Sequence, residues 1–311
     1  MNQRTFIILL LIIAAVLTGW IVWTTNQAVS AEPVEEITTK WWGSGHADFE
    51  AEAFNHWNED DPPVIPETCA KCHGMSGFLD YVGQDGSAQF VVDKPARAPD
   101  TLACITCHND PAWALDVVKL PSGIELKTEG HNAICMTCHS GMGAGSSVDK
   151  RTEGLELDTV IPDSSLISAH YFHAAAMHAG NDGKSGYQYE GKNYVGTFQH
   201  AEPVNTCIEC HDQHSLDMRT SDSADKDMCS TCHSEVNGPE DYRKISMSKV
   251  DYDGDGAVEP VYDEIDGALA TLYKAIQGYS AEKAAPFLFG ENYPYVFNDT
   301  NGDGVAGEDE T

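Results

Sequence analysis

The sequence predicts a mostly irregular fold with short α-helices and minimal β structure, organised around bound groups rather than a continuous apolar core. Three observations predict it. All ten cysteines of the 311-residue chain fall into five Cys-x-x-Cys pairs, each followed at once by histidine. The segments between the pairs are rich in Gly, Pro, Ser and Asp, as in 141–147 and 181–186, which punctuate turns and loops. One amphipathic helix is readable from spacing, through Ile265, Leu269, Leu272 and Ile276 up to Gly278. Apolar residues make up 41% of the chain, which places it well outside the disordered class.

Residues 1–31 read as an export leader. Arg4 precedes an apolar stretch from Phe6 to Trp23, and small residues close the segment at Val29-Ser30-Ala31, so cleavage is expected after Ala31. A retained membrane anchor is the competing reading, because the stretch falls just within the ~17–25 residues that span a bilayer. Thr18 and Gly19 interrupt that stretch. On either reading the remainder is exported, to the periplasm or the cell exterior. Membrane contact is expected only if the segment is retained.

The chain holds 18 basic and 49 acidic residues, a net charge of −31. This balance excludes a nucleic-acid partner, because phosphate binding needs clustered Lys and Arg. It leaves a basic redox protein as the partner that such a field would steer.

Ten cysteines in an exported chain ordinarily mean five disulfides. The five motifs are Cys69-Ala-Lys-Cys72-His73, Cys104-Ile-Thr-Cys107-His108, Cys135-Met-Thr-Cys138-His139, Cys207-Ile-Glu-Cys210-His211 and Cys229-Ser-Thr-Cys232-His233. Disulfides do not explain the five following histidines. Zinc would want Cys₄ or Cys₂His₂ spacing, into which five pairs do not divide. A thioredoxin-like pair would occur once, within a βαβ pattern that the sequence lacks. Cys-x-x-Cys-His is the attachment signature of c-type haem. Two thiols at this spacing reach the two vinyl groups on one porphyrin edge, and the adjacent imidazole lies under the ring as proximal iron ligand. Five such haems are therefore the expected cofactors, with His73, His108, His139, His211 and His233 proximal.

Eight histidines remain: His46, His56, His131, His170, His173, His178, His200 and His214. Methionine is the alternative sixth ligand and raises the potential. His46 and His56 would lie about 15 Å apart along a helix and so serve different sites. His170 and His173 are one helical turn apart and would share a face. His214 follows His211 by three residues, and His131 precedes Cys135 by four.

The first cysteines of successive motifs are 35, 31, 72 and 22 residues apart, so protein is thin around each site and neighbouring haems must approach closely. The 207/229 pair is expected to be the most closely coupled. Short helices are expected at the motifs and over 170–179. Strands are expected only at Val91–Val92 and Tyr187–Val195, with Gly191 at a hairpin turn.

The chain reads as a leader (1–31), a pentahaem body (32–233) and a C-terminal region (234–311) without Cys or His. Asp251, Asp253 and Asp255 begin a calcium-type loop, but its twelfth position is Tyr262, leaving Glu259, Asp263 or Glu264 to compensate. Asp299, Asn301, Asp303 and Glu310 match the whole loop pattern. No exit helix follows this second loop, so Ca²⁺ there would be a structural clip rather than a switch. An acidic, solvated tail is the alternative. The 265–276 helix is expected to pack against the haem region.

The chain resembles exported multihaem c-type cytochromes of anaerobic bacteria that respire by extracellular or periplasmic electron transfer. The resemblance is carried by Ser-Gly-His-Ala-Asp around His46, His-Trp-Asn at 56–58, Cys-Ala-Lys-Cys-His at 69–73 and His-Tyr-Phe-His-Ala-Ala-Ala from 170. It continues through Phe-Gln-His-Ala at 198–201, Cys-Ile-Glu-Cys-His-Asp-Gln-His at 207–214 and Asp-Tyr-Asp-Gly-Asp-Gly from 251. It implies a stack of bis-histidine haems with His46, His56, His170, His200 and His214 as distal ligands. His131, His173 and His178 then become spares. It further implies an electron carrier rather than an enzyme, partnered by redox proteins or by copies of itself in a haem filament. The alternative is a reductase of nitrite, hydroxylamine or tetrathionate type, which needs one open haem. Pentahaem nitrite reductases mark theirs with Cys-x-x-Cys-Lys, whereas all five motifs here end in His.

Overall fold

The computed structural model describes residues 32–161, 166–201, 204–219, 229–246, 249–283, 285–290, 295–307 and 310. The expected leader lies outside them. Among the described residues no helix is long and apolar enough to cross a membrane. Helix accounts for 36% of the described residues and strand for 7%, so most of their backbone is turn and loop, as expected.

Helix α1 (Val34–Trp42) carries Glu35 and Glu36 in its first turn and Lys40 in its last, the placement the helix dipole favours. After the single turn α2 (Glu52–Asn55), strand β1 (Val64–Ile65) leads into α3 (Glu67–His73) and α4 (Met75–Tyr81). Extended Gly74 separates these two helices, which cross closely. A Cβ at Gly77 would stand 2.2 Å from the Ala70 carbonyl oxygen, so only glycine permits the crossing. Strand β2 (Ala96–Arg97) returns antiparallel to β1.

Helix α5 (Cys104–Cys107) is followed by α6 (Asp110–Trp113), whose N-terminus is capped where the Asn109 side chain accepts from the Ala112 N–H. Strands β3 (Val117–Lys119) and β4 (Glu125–Lys127) pair antiparallel ahead of α7 (Asn132–Cys138). Then come α8 (Gly145–Thr152), α9 (Ala174–Gly183), the single turn α10 (Cys207–Cys210) and a 3₁₀ turn (Pro239–Lys244). The C-terminal region holds α11 (Val261–Glu282) and an antiparallel pair, β5 (Phe287–Phe289) with β6 (Val296–Asn298).

Among the described residues, three small apolar clusters replace a single core. Phe78, Tyr81, Val82, Ala112, Leu115, Ala133 and Ile134 form one, with Cys107 and Cys138 at its edge. Val118, Leu120, Met136, Ala175 and Ala179 form the second, and Ile65, Ala70, Ala96 and Ala98 the third, with Cys69 and Trp57 against it.

Several expectations change. No strand forms at Val91–Val92; Val92 instead packs between two clusters while Val91 stays exposed. At Tyr187–Val195 the turn forms at Gly191 (φ 74°) but no ladder does. The backbone there bonds to α9 instead: Asn181 N–H donates to the Val195 carbonyl, and Phe198 N–H to that of His178. Helix α9 starts only after His173, because His170 and Phe172 adopt left-handed φ of 71° and 48°. His170 and His173 therefore share no helical face. Helix α11 runs past Gly278 to Glu282, where Tyr279 and Lys283 anchor it to Asp158. Its Ile265, Leu269 and Leu272 are more than half exposed, so this stripe does not pack against the motif-bearing body. Beside this stripe the helix contacts the 3₁₀ turn and β5, with Arg243 over the Tyr262 ring and Tyr273 against Phe287 and Phe289.

Candidate functional site

Four of the five motifs lie on short helices, α3, α5, α7 and α10, while the fifth, 229–233, forms a turn. One helical turn sets the two thiols of a motif on one side of the backbone. All ten cysteines are free thiols.

The motifs adjoin in an order that is not their sequence order. The Cys72 thiol donates to the Cys138 carbonyl at 3.8 Å, and the Cys138 thiol to that of Lys71 at 3.5 Å, so the first and third motifs meet. The third also meets the fourth: Asn132, at the start of α7, accepts from the Cys207 N–H at 2.9 Å. The fourth and fifth are linked through Arg219, whose N–H bonds the Cys210 carbonyl while its own carbonyl faces the Cys229 thiol at 4.0 Å.

Four motif histidines each face a second imidazole. Ring centroids are 5.8 Å apart for His73 and His170, and 6.3 Å for His108 and His214. They are 6.0 Å apart for His139 and His46, and 6.1 Å for His233 and His200. A metal–imidazole bond is about 2 Å, so two trans bonds to one iron would set the centroids about 6 Å apart. The donor set and its spacing thus fit a haem iron held between each pair. The remaining motif histidine, His211, has no such partner. All thirteen histidines are among the described residues, and no imidazole ring stands against His211.

His56 instead contacts Trp57, which stands edge-on between it and His73. Of the three histidines left over, His131 packs on Trp113 at 4.6 Å, His173 bonds back to the His170 carbonyl, and His178 contributes its backbone carbonyl.

The rings are oriented from behind. The Nδ1 atoms of His73, His139 and His211 lie 2.6, 2.8 and 2.9 Å from the carbonyl oxygens of Ala53, Phe172 and Leu216. A carbonyl only accepts, so Nδ1 carries the proton and each Nε2 keeps a free lone pair for a metal. Phe172 and Leu216 have left-handed φ of 48° and 65°. Non-glycine residues there cost about 1–3 kcal/mol each, strain that concentrates at functional sites. Sequence patterns carry no signal for these backbone acceptors. Burial, with His139 nearby, holds His46 down to about 4, so it is a neutral imidazole with a lone pair to offer.

The acidic loops have their own geometry. Carboxylate oxygens of Asp251, Asp253 and Glu264 converge, as do those of Asp253, Asp255 and Glu259. Glu264, 1% exposed, accepts from the N–H groups of Tyr252 and Glu259; Asp263 does not join the cluster. In the second loop Asp299, Asn301 and Asp303 each accept from the backbone N–H two or three residues on, and Glu310 closes over the N–H groups of Thr300, Asn301 and Gly307.

No family model, curated protein or solved structure matches the chain.

Proposed function

We propose that this chain is an exported electron carrier that holds five covalently attached c-type haems and performs no substrate chemistry. Four facing imidazole pairs, each beside a Cys-x-x-Cys pair, carry the reading. Bound haem supplies a ferric/ferrous couple. The chain's residues would do the rest: the thiols would tether the ring, the four imidazole pairs would hold the iron and keep substrate from it, and carbonyls behind Nδ1 hold imidazoles in register. Contact between motifs one and three, three and four, and four and five supports transfer along a connected path. Ca²⁺ at the 251–264 loop, and a second at 299–310, is proposed to brace the C-terminal region. The charge of −31 favours a basic redox partner.

The fourth motif favours a second reading, assembly of copies. His211 lacks a facing imidazole, while His56 is exposed and its Nδ1 is held by the Glu52 carboxylate at 2.7 Å, leaving Nε2 free. A histidine prepared in this way and unused within its own chain suits the open position of a second copy.

One experiment tests both readings: haem count and spin state on native secreted protein and on His56→Ala. Five c-haems per chain, all low-spin when assembled, are expected. The variant should be monomeric, with one haem turned high-spin and able to bind CO. Two or fewer haems per chain would overturn the cofactor assignment. A CO-binding high-spin haem in the unaltered protein that also consumes nitrite would point to the reductase.

A further inference from the structure

We propose that Glu32 is a positioning residue for the His108/His214 site, acting through Nδ1–H of His214 to hold that site at a lower reduction potential than its neighbours. The inference rests on the reading that the motifs carry haem. Where the structure gives a Nδ1 partner to the imidazoles of the other facing pairs, the close contact is to a backbone carbonyl: His73 to Ala53, His139 to Phe172 and His200 to Ala201. His214 differs. Its Nδ1 is buried and makes no hydrogen bond, while a Glu32 carboxylate oxygen stands 3.5 Å away. A buried polar atom left unpaired costs about 1–3 kcal/mol and calls for a partner.

The carboxylate is aimed by a clamp. Lys40, from the last turn of α1, reaches Glu32 at 2.5 Å and Asp212 at 3.1 Å. Asp212 in turn accepts from the N–H groups of His214 and Ser215, both at 2.9 Å. One ammonium therefore ties the chain just before α1 to the loop that presents His214. All four side chains are 33% exposed or less. His233 also has a carboxylate near Nδ1, that of Glu235, but at 3.8 Å and with no cation among the described residues holding it.

An anionic acceptor draws the Nδ1 proton more strongly than a carbonyl does. The imidazole becomes a better donor at Nε2, which favours ferric over ferrous iron. Electrons entering the assembly would therefore leave the His108/His214 site for its neighbours.

The test is a potentiometric titration of the holoprotein, followed by optical and EPR spectra, on the unaltered chain, Glu32→Gln and Lys40→Met. Glu32→Gln is expected to raise one of the five midpoint potentials by about tenfold in its reduction equilibrium, about 59 mV for one electron. The other four should stay put, and one low-spin EPR signal should change. Lys40→Met frees the carboxylate of its counter-charge and should move the same potential downward. Unchanged potentials in both variants, or shifts of the same sign, would overturn the proposal and leave Glu32 a structural residue. Absence of covalent haem from the unaltered protein would instead defeat the underlying cofactor reading.

Discussion

Phe172 and Leu216 look, in sequence, like ordinary apolar residues. In the fold both take left-handed backbone, and in each case the carbonyl so displaced meets the Nδ1 of a motif histidine. Residue identity marks which atoms could bind; local strain tells how they are aimed. Charge at this scale acts more weakly. The Lys94 ammonium, then the Ser87 hydroxyl and N–H, hold the exposed Asp85 carboxyl down to about 2. A depressed folded value means that its contribution is present above the ordinary carboxylate range and is lost as pH falls toward 2. Comparing melting temperature against pH for the unaltered protein and Asp85→Asn should show a flatter acid limb in the variant. The difference should be small and should shrink in salt, because the pair is exposed. Parallel curves would show that the pair contributes nothing.

Elements were legible where their cause is local. Four of the five Cys-x-x-Cys-His segments lie on short helices, as their spacing announces, and α11 announces itself by periodic Ile and Leu. The strands were not legible. Each is two or three residues long and exists only because a partner segment lies beside it, up to 33 positions away in the case of β1 and β2. Conversely, Tyr187–Val195 has the composition of a hairpin but gives its backbone bonds to α9. The α3–α4 crossing at Gly77 is another contact that no pattern encodes, and it offers a clear test. Gly77→Ala forces a methyl against the Ala70 carbonyl and should destabilise the holoprotein by about 1–3 kcal/mol, read by denaturant unfolding. A variant as stable as the parent would mean that the helices can separate without cost.

At the scale of the molecule, the described residues join the motif-bearing body to the C-terminal region through local links, among them Tyr171 against Tyr295 and the Tyr242 hydroxyl donating to the Arg219 carbonyl. Helix α11 leaves its Ile/Leu stripe in solvent, and Asp158 with Tyr279 and Lys283 forms one of the links. Two stability units are therefore expected, one in the motif-bearing body, where the proposed haems would govern it, and one in the acidic loops. Removing divalent cations with a chelator should lower only the transition that reports residues 250–310, and restoring Ca²⁺ should bring it back. Glu264→Gln should weaken that rescue about tenfold or more in Ca²⁺ concentration, because Glu264 joins the Asp251/Asp253 carboxylates and replaces the missing twelfth-position glutamate. A single transition insensitive to chelation would reduce the loops to a solvated acidic tail.

The sequence by itself determined the repeat of five Cys-x-x-Cys-His motifs, the acidity, the loop-rich character and the pool of spare histidines. These follow from residue identity and short-range spacing, which survive any fold. Only the tertiary structure decided which imidazole faces which: His170 to His73, His214 to His108, His46 to His139 and His200 to His233. It also left His211 without a facing imidazole and seated the third motif between the first and the fourth. Those pairings join residues up to 106 positions apart, and they depend on loop closure and packing at small apolar clusters. No local period in a chain of this kind encodes such contacts.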